Sequence, residues 1–168
     1  MKALLVQSKS FYNDVYHHIH KFYFKKIAII SENYPLVSNL SVLENITLPA
    51  SFHNKLKTDH YIEMVRSDLK TLGFEQKIHS RKNELSDFEK FCVRVLQGLY
   101  SQFKYMVIFG EVNRYTPDTL DIFLNFLGKE RGENILFIDY NGVKSIFESK
   151  GVKIIQKVEE WGIQGLEE

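Results

Sequence analysis

The residues best placed to do chemistry lie in the stretch 85–111, where polar side chains flank a helical pattern and an apolar run. Ser86 and Glu89 have the S-x-x-E spacing of a capping box, and Glu111 follows the apolar run 105–109. A continuous apolar run is typical of a strand that is covered on both faces. Because ligands of open α/β sheets bind beyond the carboxyl ends of strands, Gly110 and Glu111 lie where chemistry would be expected.

The elements that must position these side chains follow from the spacing of apolar residues. Positions that recur every three to four residues predict helices, whereas short apolar runs predict strands. Helix and strand patterns alternate along the chain, so we predict an α/β fold with a mostly parallel sheet. The predicted strands are 2–7, 26–31, 105–109, 135–138, 152–158 and an edge strand at 161–166, and the main helices are 11–24, 61–72, 86–99, 117–127 and 143–149.

Three segments carry a family resemblance. IAIISENYPLVSNLSVLENITLP at 27–49, LSDFEK at 85–90 with the apolar run before Glu111, and ILFID at 135–139 follow one another in a recognisable order. Together they resemble the nucleotide-binding domain of ATP-binding-cassette (ABC) transporters over roughly 27–141. The resemblance implies a P-loop-NTPase-like sheet flanked by helices within one domain, 1–168, with a small helical subdomain at about 33–84.

Most of the chemical groups of that family fall on other residue types here. The Walker B aspartate falls on Gly110, while Glu111 takes the place of the catalytic carboxylate. The signature motif keeps Leu85, Ser86 and Glu89, but its glycines fall on Asp87 and Phe88. The Q-loop glutamine falls on Glu32, the H-loop histidine on Tyr140, and the D-loop aspartate close to Pro117 or Asp118.

The phosphate-binding loop is the clearest difference. Cradling a phosphate needs glycines, whose bare backbone lets N–H groups approach, and a lysine. No glycine occurs between Met1 and Leu72, and the G-x-x-x-x-G-K-S pattern would fall on Gln7, Tyr12, Asn13 and Asp14. Ser8-Lys9-Ser10 as a shortened G-K-S is the less favoured alternative. With the antiparallel subdomain also missing, we expect a degenerate, N-terminally truncated member that binds neither ATP nor magnesium.

Two hypotheses are open for the polar residues of the opening stretch. Ser86 and Glu89 either cap a helix or form a signature that grips a partner's γ-phosphate, and Asp87 makes the second electrostatically poor. Glu111 is either a vestigial carboxylate or a base that orients water. Without a carboxylate at position 110 to hold magnesium, phosphoryl transfer lacks its main charge stabiliser. We therefore favour the cap and the vestigial carboxylate.

The histidines and the lysine pair have simpler interpretations. His17 and His20 share one helical face at i, i+3, but a zinc site needs three or four ligands and only Asp14 lies nearby in sequence. We expect no metal site and solvated histidines. Lys25-Lys26 is predicted to be the solvated start of a strand.

Composition limits the classes of function. A chain of 168 residues with 44% hydrophobic residues can bury a core. A net charge of +1 gives no general attraction for nucleic acid or an anionic membrane, and no local patch stands out in the sequence. The single cysteine, Cys92, is predicted to be a buried thiol in a reducing cytoplasm. No segment is apolar over the length of a membrane span, and the first residues do not form a signal peptide.

The stretch NLSVLENITLP at 39–49 keeps the family wording although the nucleotide-binding groups are absent. In the resembled family this region contacts the membrane subunit, so it is either a docking surface or core. The docking candidates are Tyr34, Leu36, Leu40, Val42 and Leu43.

These observations predict a non-catalytic cytoplasmic subunit. It would dock on a membrane permease, pair with an active ABC ATPase, or form a homodimer, and would be peripheral at the inner face of the membrane through that partner. We expect no nucleic-acid partner and no direct insertion into the membrane. The alternatives are a weak or asymmetric ATPase, in which Glu111 acts on nucleotide held mainly by a partner chain, and a free-standing cytosolic interaction protein.

Overall fold

The computed structural model of the chain describes residues 1–54 and 58–162. The chain divides into two compact units. The first unit contains residues 1–31 and 103–162, and the second contains residues 32–102.

The first unit is built on a parallel sheet. Five strands lie in the order β2-β3-β4-β1-β5, and every pairing is parallel, which confirms the predicted sheet flanked by helices. Because β3, β4 and β1 are neighbours, the segments that leave their carboxyl ends lie side by side at one edge. The strands are β1 (Lys2–Val6), β2 (Ala28–Ile30), β3 (Met106–Phe109), β4 (Ile135–Tyr140) and β5 (Lys153–Ile155).

Helices cover the two faces of this sheet. On one face α1 (Lys9–Tyr23) buries Val15, Ile19 and Tyr23 in a core that includes Val107 and Leu136. On the other face Phe137 of β4 contacts Phe147 of α6 (Lys144–Ser149), with ring centroids 5.0 Å apart. The remaining helix, α5 (Pro117–Gly132), starts at the predicted Thr116 cap and kinks at Gly128. Strands buried on both faces explain the continuous apolar runs of the sequence.

The second unit is helical. It contains α2 (Val42–Asn54), α3 (Ile62–Thr71) and α4 (Asp87–Leu99), with α2 in contact with both of the others. Short 3-10 turns precede α3 and lie between α3 and α4, at Thr58–Tyr61, Glu75–Lys77 and Lys82–Glu84. The segment 33–84 lies inside this unit, which continues through α4.

Several element ends differ from the prediction. Helix α2, which is not among the main predicted helices, runs through Pro49. The strand predicted at 152–158 ends at Ile155, because the N–H groups of Gln156 and Lys157 both donate to the Glu160 carboxylate and not to a neighbouring strand. Trp161, the predicted start of a last edge strand, lies in the 3-10 turn Val158–Trp161, and residues 163–166 of that prediction lie outside the described residues.

Within the described ranges no helix combines the length and the apolar character needed to cross a bilayer.

Candidate functional site

The connection between β1 and α1 is two residues long, Gln7 and Ser8. Ser8 is the N-cap of α1, and its hydroxyl accepts a hydrogen bond from the N–H of Phe11 at 3.2 Å. The N–H of Tyr12 already donates to the carbonyl of Ser8 at 3.0 Å. The helix therefore begins almost directly after the strand, and the positions aligned with the end of a phosphate-binding loop, Tyr12 to Asp14, lie inside α1.

Tyr12 occupies the carboxyl edge of the sheet. It belongs to the second turn of α1, and its ring stacks on that of Tyr140 at the end of β4, with centroids 5.7 Å apart and planes 9° apart. Phe109 of β3 packs edge-on against Tyr12, with the ring centroids 5.9 Å apart and the ring planes at 79°. The sequence positions aligned with the P-loop and with the H-loop histidine are thus packed against each other.

Gly110 completes this cluster. Its backbone has φ +62, in the left-handed region that favours glycine. A Cβ atom built at this position would lie 2.7 Å from the hydroxyl oxygen of Tyr12, closer than real Cβ contacts. The position aligned with the Walker B aspartate therefore has no room for any side chain while Tyr12 stays in place.

The surroundings of Tyr12 hold its hydroxyl in the protonated form. Burial raises the pKa of Tyr12 to about 12, and the nearby carboxyl of Asp139 and the hydroxyl of Tyr140 add to the effect. Glu111 contributes in the same direction. At neutral pH the phenol is therefore neutral and can donate a hydrogen bond.

Glu111 is placed after β3 as predicted, but it is not open to solvent. Its side chain is 1% exposed, and it stands at the N-cap position of the 3-10 turn Val112–Arg114. A general base must reach the water or substrate that it activates, and a side chain buried to this degree is closed to bulk water.

Asp139 is the acid that the sequence analysis did not single out. It is 1% exposed at the end of β4, and one carboxylate oxygen accepts from the N–H groups of Val112 at 2.8 Å and Asn113 at 3.3 Å. The other oxygen accepts from the N–H of Tyr140 at 2.8 Å. Burial raises the pKa of Asp139 although these three hydrogen bonds oppose the shift. Asp139 therefore fixes the segment that follows Glu111, and an acid directly after the apolar run ILFI was the signal for it.

In the second unit, Ser86 and Glu89 form the predicted capping box. The Ser86 hydroxyl accepts from the N–H of Glu89 at 3.3 Å, and the Glu89 carboxylate accepts from the N–H of Ser86 at 2.7 Å. The same carboxylate oxygen lies 2.8 Å from the ammonium of Lys77. Although burial opposes it, the net shift lowers the pKa of Glu89, through the bonds from Lys77 and Ser86. All of these contacts stabilise the start of α4.

The docking candidates divide into core and surface. Leu36, Val42 and Leu43 are buried, whereas Tyr34 is 38% exposed and Leu40 is half-buried. The loop that carries them is fixed by the buried amide of Asn45, which donates to the carbonyls of Val37, Leu40 and Ser41 and accepts from the N–H of Val37. Sequence analysis missed this role of Asn45. Glu32, aligned with the Q-loop glutamine, is exposed at the start of the unit.

The histidines of α1 lie against aromatic rings. Tyr16 contacts His17 at 6.1 Å and His20 at 4.2 Å between ring centroids. Burial lowers the pKa of His20, and the neighbouring His17 lowers it further. Among the described residues no group of three or more His, Cys, Asp or Glu could hold a metal ion.

Comparison with solved structures identifies the architecture. The chain is similar to an ATP-binding subunit of an ABC transporter, with TM-score 0.66, 15% identity, and 86% of this chain and 70% of that chain covered. It is also similar to CbiO1 of Clostridium perfringens, part of the ABC transporter complex cbiONQ, with TM-score 0.62, 14% identity and coverage of 83% and 67%. The chain therefore has the ABC-cassette fold. A dimeric bacterial ABC transporter cassette gives TM-score 0.60 and 18% identity, with coverage of 80% of this chain and 60% of that one.

The ABC-cassette fold confirms the resemblance predicted from the motifs. No family model and no curated protein matches the sequence, so the likeness is carried by the three-dimensional arrangement. At identities of 14–18% it concerns the fold and not the chemistry of the site.

Proposed function

We propose that this chain is a non-catalytic ABC-ATPase-like subunit, which docks on a transporter-type membrane protein or pairs with an active ATPase in a structural or regulatory role. The observation that carries the proposal is the packing of Tyr12 against Gly110 and Tyr140. This packing puts a tyrosine ring at the edge of the sheet where a cassette ATPase would hold the phosphates of its nucleotide.

The backbone near β1 supports the proposal. A phosphate cradle is made from N–H groups of a glycine-rich loop that precedes a helix. Here the connection is Gln7 and Ser8, and the N–H of Phe11 in the first turn of α1 is bonded to the Ser8 hydroxyl. The N–H of Phe11 is therefore not available to a phosphate, and the connection contains no glycine.

The donor set at the end of β3 supports the proposal as well. Magnesium in nucleotide sites is held by a carboxylate together with substrate phosphates. Gly110 provides no carboxylate, and the buried Glu111 directly precedes the segment that Asp139 holds. These residues do not fit a magnesium–nucleotide complex.

The docking part of the proposal is supported by Tyr34 and Leu40, which remain accessible on a loop fixed by Asn45. The test is co-purification of the tagged chain from its own cells, with identification of the bound proteins. We expect an integral membrane protein or a complete cassette ATPase, lost in the variant Tyr34→Ser/Leu40→Ser. Met64→Ser, which changes a side chain that is 57% exposed in α3, is the matched control and should keep the partner.

The assembled pair then separates this proposal from the weak-ATPase alternative. We expect Glu111→Gln to leave the ATP turnover of the complex unchanged within about twofold. A loss of tenfold or more, with the complex still intact, would show that Glu111 acts in catalysis and would overturn the non-catalytic role.

A further inference from the structure

The end of α1 carries an exposed aromatic and basic surface that the proposed function does not use. Phe22 and Phe24 are each 51% exposed, while Tyr23 between them is buried. Lys21 and Lys25 are exposed beside them, and Lys21 lies 5.1 Å from the centre of the Phe22 ring. We call Lys21, Phe22, Phe24 and Lys25 the α1 tip.

The α1 tip lies at the edge of the sheet opposite to the Tyr12 cluster. Helix α1 leaves the carboxyl end of β1 and delivers the chain to the amino end of β2, so its last turn is at the amino edge. The register pairs Ala28 with Met106. Lys26 and Lys104, each two residues before its strand, are therefore level with each other near the tip.

The chain around the end of α1 is basic. The stretch 15–31 contains Lys21, Lys25 and Lys26 and no carboxylate. Glu159 lines a groove of about 360 Å³ together with Lys26, His18, Phe22 and Tyr23. Glu133, two residues before β4, is level with Lys104 according to the pairing of Met106 with Ile135. Among the described residues, Glu159 and Glu133 lie at this edge with Lys21, Lys25, Lys26 and Lys104, and neither carboxylate belongs to the tip.

We propose that the α1 tip rests on a bilayer surface that contains anionic phospholipid. Half-exposed aromatic rings flanked by lysines suit such a surface in two ways. The rings partition to the level of the headgroups, and the ammonium groups pair with the lipid phosphates. A contact with two rings and a few lysines is weak and reversible. The proposal goes beyond the docking role and does not depend on it, since the tip is remote from the Tyr12 cluster.

The same surface suits a lipid headgroup layer better than a nucleic acid. Proteins that hold single strands combine stacking rings with a positively charged groove that follows the backbone. The groove next to Phe22 contains Glu159, which would repel a phosphate backbone laid along it. A flat layer of lipid headgroups would contact the end of α1 and not the Glu159 carboxylate.

The experiment is co-sedimentation of the purified chain with sucrose-loaded vesicles of phosphatidylcholine, alone or with about one third phosphatidylserine. We expect binding only with phosphatidylserine, and we expect it to weaken as sodium chloride is raised, because the lysine contribution is screened. Phe22→Ser/Phe24→Ser and Lys21→Glu/Lys25→Glu should each lower the partition coefficient by about fivefold or more.

Matched variants control for exposure and charge. Ile122→Ser changes a side chain that is 50% exposed beside Asp121, and Lys70→Glu/Lys144→Glu changes exposed lysines of α3 and α6 with the same change in net charge as Lys21→Glu/Lys25→Glu. Both should keep the partition coefficient within about twofold, with circular dichroism confirming that all variants are folded. Binding that does not depend on phosphatidylserine would overturn the proposal. An equal decrease of the partition coefficient in the control variants would overturn it as well. So would tighter binding of a single-stranded RNA oligomer than of the vesicles at equal salt.

Discussion

The hydroxyl oxygen of Tyr12 lies 2.7 Å from the point at which a Cβ atom of residue 110 would stand. The two residues are far apart in the chain and meet because the β3, β4 and β1 strands are neighbours in the sheet. The Tyr12 ring fits at this place because residue 110 has no side chain. The backbone of Gly110 also adopts φ +62, a conformation that favours glycine. A single carboxylate restored at position 110 would therefore meet the Tyr12 ring.

This relationship predicts an energetic coupling between positions 12 and 110. Gly110→Ala should lower the free energy of unfolding by about 3 kcal/mol, through left-handed backbone strain and overpacking. Gly73→Ala, at φ +87 with open space around its Cβ, is the control for strain alone and should cost about 1 kcal/mol. In a Tyr12→Ala background the cost of Gly110→Ala should fall to that of the control. Additive losses in urea denaturation would contradict the contact.

The Tyr12 phenol should titrate late. Its pKa is raised to about 12, so the folded state favours the protonated form. The stability that this gives is complete below the ordinary tyrosine pKa of about 10 and is lost as pH rises towards 12. Absorbance at the tyrosinate band should show a late-titrating contribution that is missing in Tyr12→Phe and present in Tyr34→Phe. Because each variant has one tyrosine fewer than the wild type, the two variants are compared with each other, and loss of the same amplitude over the same pH range in both would exclude a buried Tyr12.

Asp139 predicts a pH dependence of the opposite kind to that of most carboxylates. Burial raises its pKa, so its stabilising contribution is complete below the ordinary aspartate pKa of about 4 and falls as pH rises through the folded value. The unfolding free energy of the wild type should therefore decline relative to Asp139→Asn as the pH rises above about 4. A difference that stays constant as the pH rises would show that Asp139 is not desolvated.

Ser86 tests the capping interpretation. Ser86→Ala should lower the free energy of unfolding by about 1 kcal/mol, because the N–H of Glu89 loses its acceptor. Ser86→Thr keeps that acceptor and should restore most of the loss, while Ser38→Ala, at an exposed loop position, should change little. Thermal unfolding followed by circular dichroism gives the comparison. If Ser86→Ala leaves the free energy of unfolding unchanged, Ser86 does not stabilise the helix.

Local signals explain which parts of the fold could be predicted. The S-x-x-E spacing at Ser86 needs only four consecutive residues, and the capping box formed as expected. Apolar runs marked the strands because both faces of the sheet are covered. Pro49 inside α2 was not predictable in this way, since a proline interior to a helix costs local stability and is tolerated there through contacts with α3 and α4.

The arrangement of the candidate site depended on strand order, which a single sequence does not contain. Glu111 and Tyr140 could be assigned to strand ends, but the packing of Tyr12 against Tyr140 required β1 to lie beside β4. For the same reason the hydrogen bonds from Val112 and Asn113 to Asp139 could not be predicted from the sequence. The α1 tip was not predicted, because Lys25-Lys26 was interpreted as the solvated start of a strand. Only the structure shows that Phe22 and Phe24 are exposed beside these lysines.

We propose that the edge of the sheet filled by Tyr12 does not hold a nucleotide. Isothermal titration calorimetry of the chain with ATP and magnesium tests this most directly, alongside the variant Tyr12→Ala/Gly110→Asp, which clears the ring and restores the carboxylate. Because the two-residue β1–α1 connection still lacks a cradle, the account predicts no saturable heat up to millimolar ATP for either protein. A micromolar dissociation constant for the wild-type chain would contradict it.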